Sequence, residues 1–240
     1  MSIIDIAREY WRPLLTGFKV TIELALATTL VGTIVGALTA MGRVSRWRLI
    51  RAITVVYVTV IRGTPPLLQL FIIFFSLAQW GIVIPGFTCA VIALGLYAGS
   101  YTAEIFRAGI LAIPKGQVEA ANSMGLTRWQ VYRLVILPQA IKIIIPPMTN
   151  QVIYNLKATS LVVTISVQDL MYVAYNGAAM TFRSAEFYTL AGLFYLSVAI
   201  LLGQVARHFE LTTEVSKRKR RKAAPIGDPA LAGQFGGPAL

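Results

Sequence analysis

Residues 114–138 read Pro114-Lys115-Gly116-Gln117-Val118-Glu119-Ala120-Ala121-Asn122-Ser123-Met124-Gly125-Leu126-Thr127-Arg128-Trp129-Gln130-Val131-Tyr132-Arg133-Leu134-Val135-Ile136-Leu137-Pro138. Charges at Lys115, Glu119, Arg128 and Arg133 set this stretch apart from the apolar residues on either side. Pro114 suits the first turn of a helix, because its fixed φ fits and its missing N–H is one of the donors that a helix start leaves unpaired. Gly116 to Met124 continue that helix, and Gly125 suits its stop, since glycine enters the left-handed region without a Cβ clash. Thr127 with Gln130 three residues on has capping-box spacing. It opens a second short helix, expected to run to Ile136, before Pro138. The stretch therefore reads as helix, sharp turn and helix lying along a membrane surface. Ala120, Ala121 and Ser123 beside Gly125 let another surface approach the backbone closely, and Glu119 sets a charge near the helix start. Two uses fit: docking of a partner, or packing of an interfacial helix on its own bundle.

Outward from this connector the chain is apolar. Of 240 residues, 56% are apolar and 13% charged, where a soluble domain carries about 25% charged residues. The charges are lopsided, 22 Lys and Arg against 10 Asp and Glu, a formal net charge of +12. Uncharged stretches of roughly 20 residues, enough to cross a bilayer core, separate the basic clusters. Those clusters mark membrane loops rather than a nucleic-acid surface. One cysteine, Cys89, and one histidine, His208, exclude a disulfide framework, a His/Cys metal site and a Ser/His/Asp or Cys/His nucleophile.

The expected fold is an all-α integral membrane protein of about five transmembrane helices. Residues 1–16 form an amphipathic interfacial segment in which Ile3, Ile4, Ile6, Tyr10 and Trp11 alternate with Asp5, Arg8, Glu9 and Arg12, the two aromatic rings at headgroup level. The segment lacks a signal-peptide pattern. Spans are expected at 17–42, 52–79, 87–110, 139–166 and 187–206, within a membrane domain of 17–210. A basic tail, 211–240, is expected to be disordered. Arg62-Gly63-Thr64-Pro65-Pro66 interrupts the second span, and Pro146 and Pro147 are expected to bend the fourth. Gly32 and Gly36 stand in a GxxxG frame, which admits close helix approach or is merely tolerated. Five spans put the termini on opposite sides. Arg43, Arg46, Arg48 and Arg51, the 112–138 loop and the run Lys217 to Lys222 then share one side, which the positive-inside bias makes cytoplasmic. The amino terminus is outside, and the basic run touches anionic lipid.

Glu119-Ala120-Ala121, Gly125, then Val135 and Leu137-Pro138 resemble the EAA loop of ATP-binding-cassette importer permeases: EAA, three residues, G, nine residues, I, one residue, LP. Val135 in place of Ile is the single departure. Thr21-Ile22-Glu23-Leu24, Arg62-Gly63-Thr64-Pro65, Tyr101 to Arg107, Pro114-Lys115-Gly116-Gln117 and Lys157 to Leu161 look like the polar amino acid subfamily. The likeness reaches to about Glu210. It implies a type I permease fold in the bacterial inner membrane. It also implies an identical or paralogous permease as dimer partner, two ATPase subunits, and an extracytoplasmic binding protein that delivers an amino acid. Glu119, Ala120, Ala121, Gly125, Leu137 and Pro138 become the ATPase-coupling residues. The chain has no G-x-x-x-x-G-K-[ST] loop, so it is not expected to be an enzyme or to bind a cofactor. ATP and Mg²⁺ belong to the partner ATPases.

A zwitterionic substrate needs partners for a carboxylate and an ammonium. The spans offer Arg62, Glu104, Arg107 and Lys157, with the hydroxyls of Thr64, Thr159 and Ser160. Each charge has a second reading, pairing inside the bundle or snorkelling to an interface; the one-turn spacing favours pairing for Glu104 and Arg107. An ion-driven secondary transporter or a channel subunit is the alternative class. It would be expected to show more spans or an internal repeat.

Overall fold

The computed structural model describes residues 3–223. Helix α1 (Ile3–Glu9) is followed at once by α2 (Trp11–Arg43), so the first long helix begins ahead of the expected Gly17. The amphipathic start is docked on the bundle rather than only on an interface. Ile6 is buried in a cluster with Leu14, Leu170, Ala174 and Phe187, and Tyr10 meets the Phe187 ring edge-on at 4.8 Å. Ile4 and Trp11 stay exposed.

The second span is α3 (Arg48–Gly63) and α4 (Pro66–Gln79, with a π turn at Ile72–Ser76), which meet at 106°. The chemistry of the break is local. A residue before proline is driven out of the helical region, and Thr64 and Pro65 are both extended. Carbonyls at the end of α3 lose their helical donors, and Gln69 replaces two of them: its Nε2 donates to Ile61 O at 2.8 Å and Thr64 O at 3.2 Å, and also to Thr64 Oγ1 at 2.8 Å. Gln69 is buried, so this bracing is what makes the corner tolerable in an apolar medium.

Helix α5 (Gly86–Leu111) is the most enclosed, with 61% of its apolar window buried against 11% for the two later spans. It packs along α2 through small residues. A Cβ on Gly36 would lie 2.6 Å from Thr102 Cβ, so this glycine sets the interhelical distance. The GxxxG frame is therefore a contact and not an accident of composition.

Helix α6 (Lys115–Ser123) leads to α7, one helical run over Arg128–Ile165. The expected second short helix does not stop before Pro138. A π turn, Tyr132–Ile136, carries it into Leu137–Ala158, and a 3-10 turn, Thr159–Ile165, ends it. A proline ring collides with the carbonyl four residues back in an α-helix; the wider π turn lies where that carbonyl, of Leu134, would be struck. Gln139 Nε2 then donates to the Val135 carbonyl at 2.8 Å. Pro146 and Pro147 sit inside the helix, which continues through them without a break. Helix α8 (Leu170–Thr181) and α9 (Ser184–Ala223) complete the described residues. α9 passes the expected end at Ala206 and takes in the Lys217 to Lys222 run. No glycine or proline intervenes between Gly203 and Pro225, and cations suit a helix carboxyl end. The tail beyond Ala223, expected to be disordered, lies outside the described residues. Among the described residues four helices are long and apolar enough to cross a membrane, or five if α3 and α4 count as one broken span.

Candidate functional site

The broken span brings Arg62, in the last turn of α3, over the ring of Tyr101 on α5, 4.7 Å from its centroid. Tyr101 belongs to a cluster of three rings. Tyr97 lies 5.0 Å from it on the same helix, and Tyr154 reaches over from α7, 5.9 Å from Tyr97 and 6.5 Å from Tyr101. Tyr97 donates to the Tyr101 hydroxyl at 3.1 Å, and Tyr154 donates to that of Tyr97 at 3.3 Å. A cation over a desolvated aromatic face gains about 2 kcal/mol or more. Among the described residues no carboxylate lies within ion-pair distance of Arg62.

One turn further along α5, Glu104 is the centre of an ion cluster. Arg107 Nε and Nη2 donate to its Oε2 at 3.0 and 2.9 Å, which is the expected pairing. Arg43, at the end of α2, puts Nη1 3.1 Å from Oε1, close enough for a charge contact but not aligned as a hydrogen bond. Arg62 is near enough to act on the same carboxylate electrostatically. Three guanidinium groups surround one carboxylate, and the cluster is left cationic. An anion is the ligand such a site favours.

Thr64 is turned into the corner, donating to the Val60 carbonyl at 2.9 Å while it accepts from Gln69. Thr159 is wholly buried and donates to the Leu156 carbonyl at 2.8 Å; the structure places it in packing, apart from Arg62. Lys157 and Ser160 instead line a cavity of ≈ 460 Å³ between α7 and α9.

In the connector, α6 ends as a Schellman motif. Leu126 N–H donates to Ala121 O at 3.3 Å and Gly125 N–H to Asn122 O at 2.9 Å, with Gly125 at φ +76. Thr127 and Gln130 form the reciprocal capping box, Thr127 N–H donating to Gln130 Oε1 at 2.8 Å and Gln130 N–H to Thr127 Oγ1 at 3.4 Å. Glu119, Ala120, Gly125 and Pro138 are exposed, Leu137 half-buried, and Ala121 buried, so the small-residue face is split between the outside and the chain's own bundle.

The matching family model is that of the binding-protein-dependent transport system inner membrane component, over residues 32–211. The chain belongs to this family. The permease is 33% identical over 229 residues to the octopine transport permease OccM of Rhizobium meliloti, covering 92% of this chain and 94% of that one. It is 38% identical over 206 residues to the L-cystine transport permease TcyB of Bacillus subtilis, covering 85% and 88%. A crystal structure of an amino acid ABC transporter with histidines superposes with a TM-score of 0.84 at 34% identity, covering 88% of the permease and 99% of that chain. The family decides between the two classes the sequence left standing: the permease is a multi-pass inner-membrane subunit of an importer, not an ion-driven transporter.

Sequence reasoning did not single out Arg43, Gln69, Tyr97 or Tyr154. Arg43 reads as one more basic loop residue, and Gln69 as a lone polar residue. Tyr97 stands four residues before Tyr101, a same-face spacing that is a usable signal. Nothing in the sequence ties Tyr154 to that pair.

Proposed function

We propose that the permease forms the translocation pathway of an ATP-binding-cassette importer for amino acids and their conjugates, and that substrate passes the Arg62 and Tyr101 cluster. The observation that carries this is the broken span, which delivers a guanidinium with no carboxylate of its own onto an aromatic surface between helices. Arg62 meets the substrate carboxylate. Glu104 holds Arg43 and Arg107 beside it and leaves the cluster cationic, so that the cluster attracts the carboxylate end of the substrate. Thr64 keeps the corner in shape.

The exposed part of the connector, Glu119, Ala120 and Gly125, is the surface on which an ATPase subunit docks, with Leu137 and Pro138 joining it to α7. Two ATPase subunits supply ATP and Mg²⁺ chemistry, a second permease completes the pathway, and a binding protein delivers substrate on the far side. The basic clusters lie in the cytoplasm and the amino terminus outside, by the positive-inside bias. Alternating access then consists of two discrete arrangements of the bundle selected at the connector.

The test is uptake of labelled L-histidine, L-cystine and octopine into proteoliposomes holding the complex, its ATPase and its binding protein. Wild type is expected to concentrate at least one of them with ATP. Arg62→Ala should lower that uptake by tenfold or more, and Arg62→Lys by less, because it keeps charge but loses the planar contact. Wild-type uptake by Arg62→Ala would remove Arg62 from the pathway.

A further inference from the structure

Lys157 is an ammonium without an ionic partner. It stands in the last turn of the α-helical part of α7, inside an apolar span. Among the described residues no carboxylate lies within ion-pair distance of its Nζ. The helix end offsets part of its charge, because the unpaired carbonyls there are the negative pole of the helix. It does not satisfy three N–H donors.

The cavity beside it supplies what the charge lacks. Its volume of ≈ 460 Å³ falls within the range of small-molecule sites, and its wall is mostly apolar, with Ala191 and Leu196 among the lining side chains. Lys157, Ser160, Tyr188 and Tyr195 are its polar groups. Two of them have fixed orientations: Ser160 donates to the Lys157 carbonyl at 2.7 Å, and the Tyr195 hydroxyl lies 3.4 Å from Asp169 Oδ2. The Lys157 ammonium is the charged group of the lining, and a carboxylate is its complement.

Lys157 also stands one helical turn from the cluster already described. Tyr154 precedes Lys157 by one turn of α7 and stacks on Tyr97 and Tyr101, beneath Arg62. Lys157 is thus one turn of helix beyond the ring cluster on which Arg62 rests, at the end of α7 remote from the connector.

We infer that the cavity between α7 and α9 is a vestibule for the α-carboxylate of the transported amino acid, anchored by Lys157 before the carboxylate moves to Arg62. This rests on the amino acid importer reading above. A cation at each end of the path lets the carboxylate exchange one ionic partner for the next without passing through an unpaired state.

The experiment is equilibrium binding of labelled L-histidine, L-cystine and octopine to the nucleotide-free permease and ATPase complex, without binding protein, in vesicles of phosphatidylcholine with and without phosphatidylglycerol. Wild type should bind at least one probe and bind that probe's carboxamide about tenfold more weakly. Lys157→Met should raise Kd for the free acid about tenfold and abolish the difference between acid and amide. Lys157→Arg should stay within about threefold of wild type, which shows that charge and not packing is measured. Unchanged affinity and selectivity in Lys157→Met would overturn the inference. So would a defect confined to phosphatidylglycerol vesicles, which would assign the ammonium to a lipid phosphate. Wild type binding none of the probes would overturn the amino acid reading itself, and this one with it.

Discussion

Asp169 is wholly buried in the connector between α7 and α8, outside the spans. It caps α8, its Oδ1 accepting from Tyr172 N–H at 2.9 Å, while Oδ2 faces Thr21 Oγ1 at 3.5 Å and the Tyr195 hydroxyl at 3.4 Å. Burial pushes the carboxyl up to about 6, against the bonds that favour its charged form. An unfolded Asp titrates near 3.9. Between about pH 4 and 6 the folded protein therefore holds a proton that the unfolded chain has lost, and stability falls as pH rises through that window. Above it the fold carries a buried charge at a cost on the order of 3 kcal/mol. Asp169→Asn keeps an N-cap and has no proton to lose, so the thermal midpoint in detergent should become flat between pH 4 and 6.5. A variant that kept the wild-type slope would place the titration elsewhere. Asp169 was not legible as a special residue: in the sequence it is one acid at the edge of a loop, and Thr21 and Tyr195 meet it only through folding.

At the scale of elements, the contact of α2 with α5 depends on the absence of side chains. Gly36→Val puts methyl groups where a Cβ alone already stands 2.6 Å from Thr102 Cβ, and overpacking of this kind costs about 1–3 kcal/mol. Gly203, on α9, has nothing within 4 Å of a built Cβ, so Gly203→Ala should leave the midpoint within a degree or two. A lower midpoint for Gly36→Val together with an unchanged one for Gly203→Ala would distinguish close packing from a general intolerance of bulk. The helices themselves were legible, because length and hydropathy are local quantities. The corner between α3 and α4 was legible as a break, from Arg62-Gly63-Thr64-Pro65-Pro66. Its angle was not, since it is set by Gln69 reaching back to carbonyls on the other side of the break. At Pro146 and Pro147, by contrast, the helix runs on unbroken.

On the scale of the whole molecule, α5 ends at Leu111 and α6 begins at Lys115, so a displacement of the connector is transmitted to the most enclosed helix within a few residues. The end of α5 is itself tied to α2 by Glu104 and Arg43. Gly125 can separate the proposed docking from folding, because a Cβ there meets nothing within 4 Å in this chain while its φ of +76 favours glycine. Gly125→Asn, whose side chain tolerates that backbone, should keep the ratio of uptake to ATP hydrolysis within about threefold of wild type. Gly125→Trp adds bulk that only a partner would feel; the ratio should fall tenfold or more while the complex still assembles in the membrane. Wild-type uptake by Gly125→Trp would remove the connector from the coupling path.

The ends of α2, α7 and α9 were not determined by the sequence alone, whereas the class, the presence of the long apolar helices and the turn inside the connector were. Each rests on local rules: apolar runs of bilayer length, basic residues gathered between them, and capping signals whose partners lie three to five residues apart. Arg62, Glu104 and Lys157 were visible as charges out of place for the same reason. Their company was decided only in three dimensions. That Glu104 holds Arg43 as well as Arg107, that Tyr154 completes a ring cluster under Arg62, and that Lys157 opens on a cavity depend on which faces of α2, α5, α7 and α9 meet. Those faces are chosen by close packing of small residues and by the pairing of buried polar groups across long sequence separations, which no window of sequence contains.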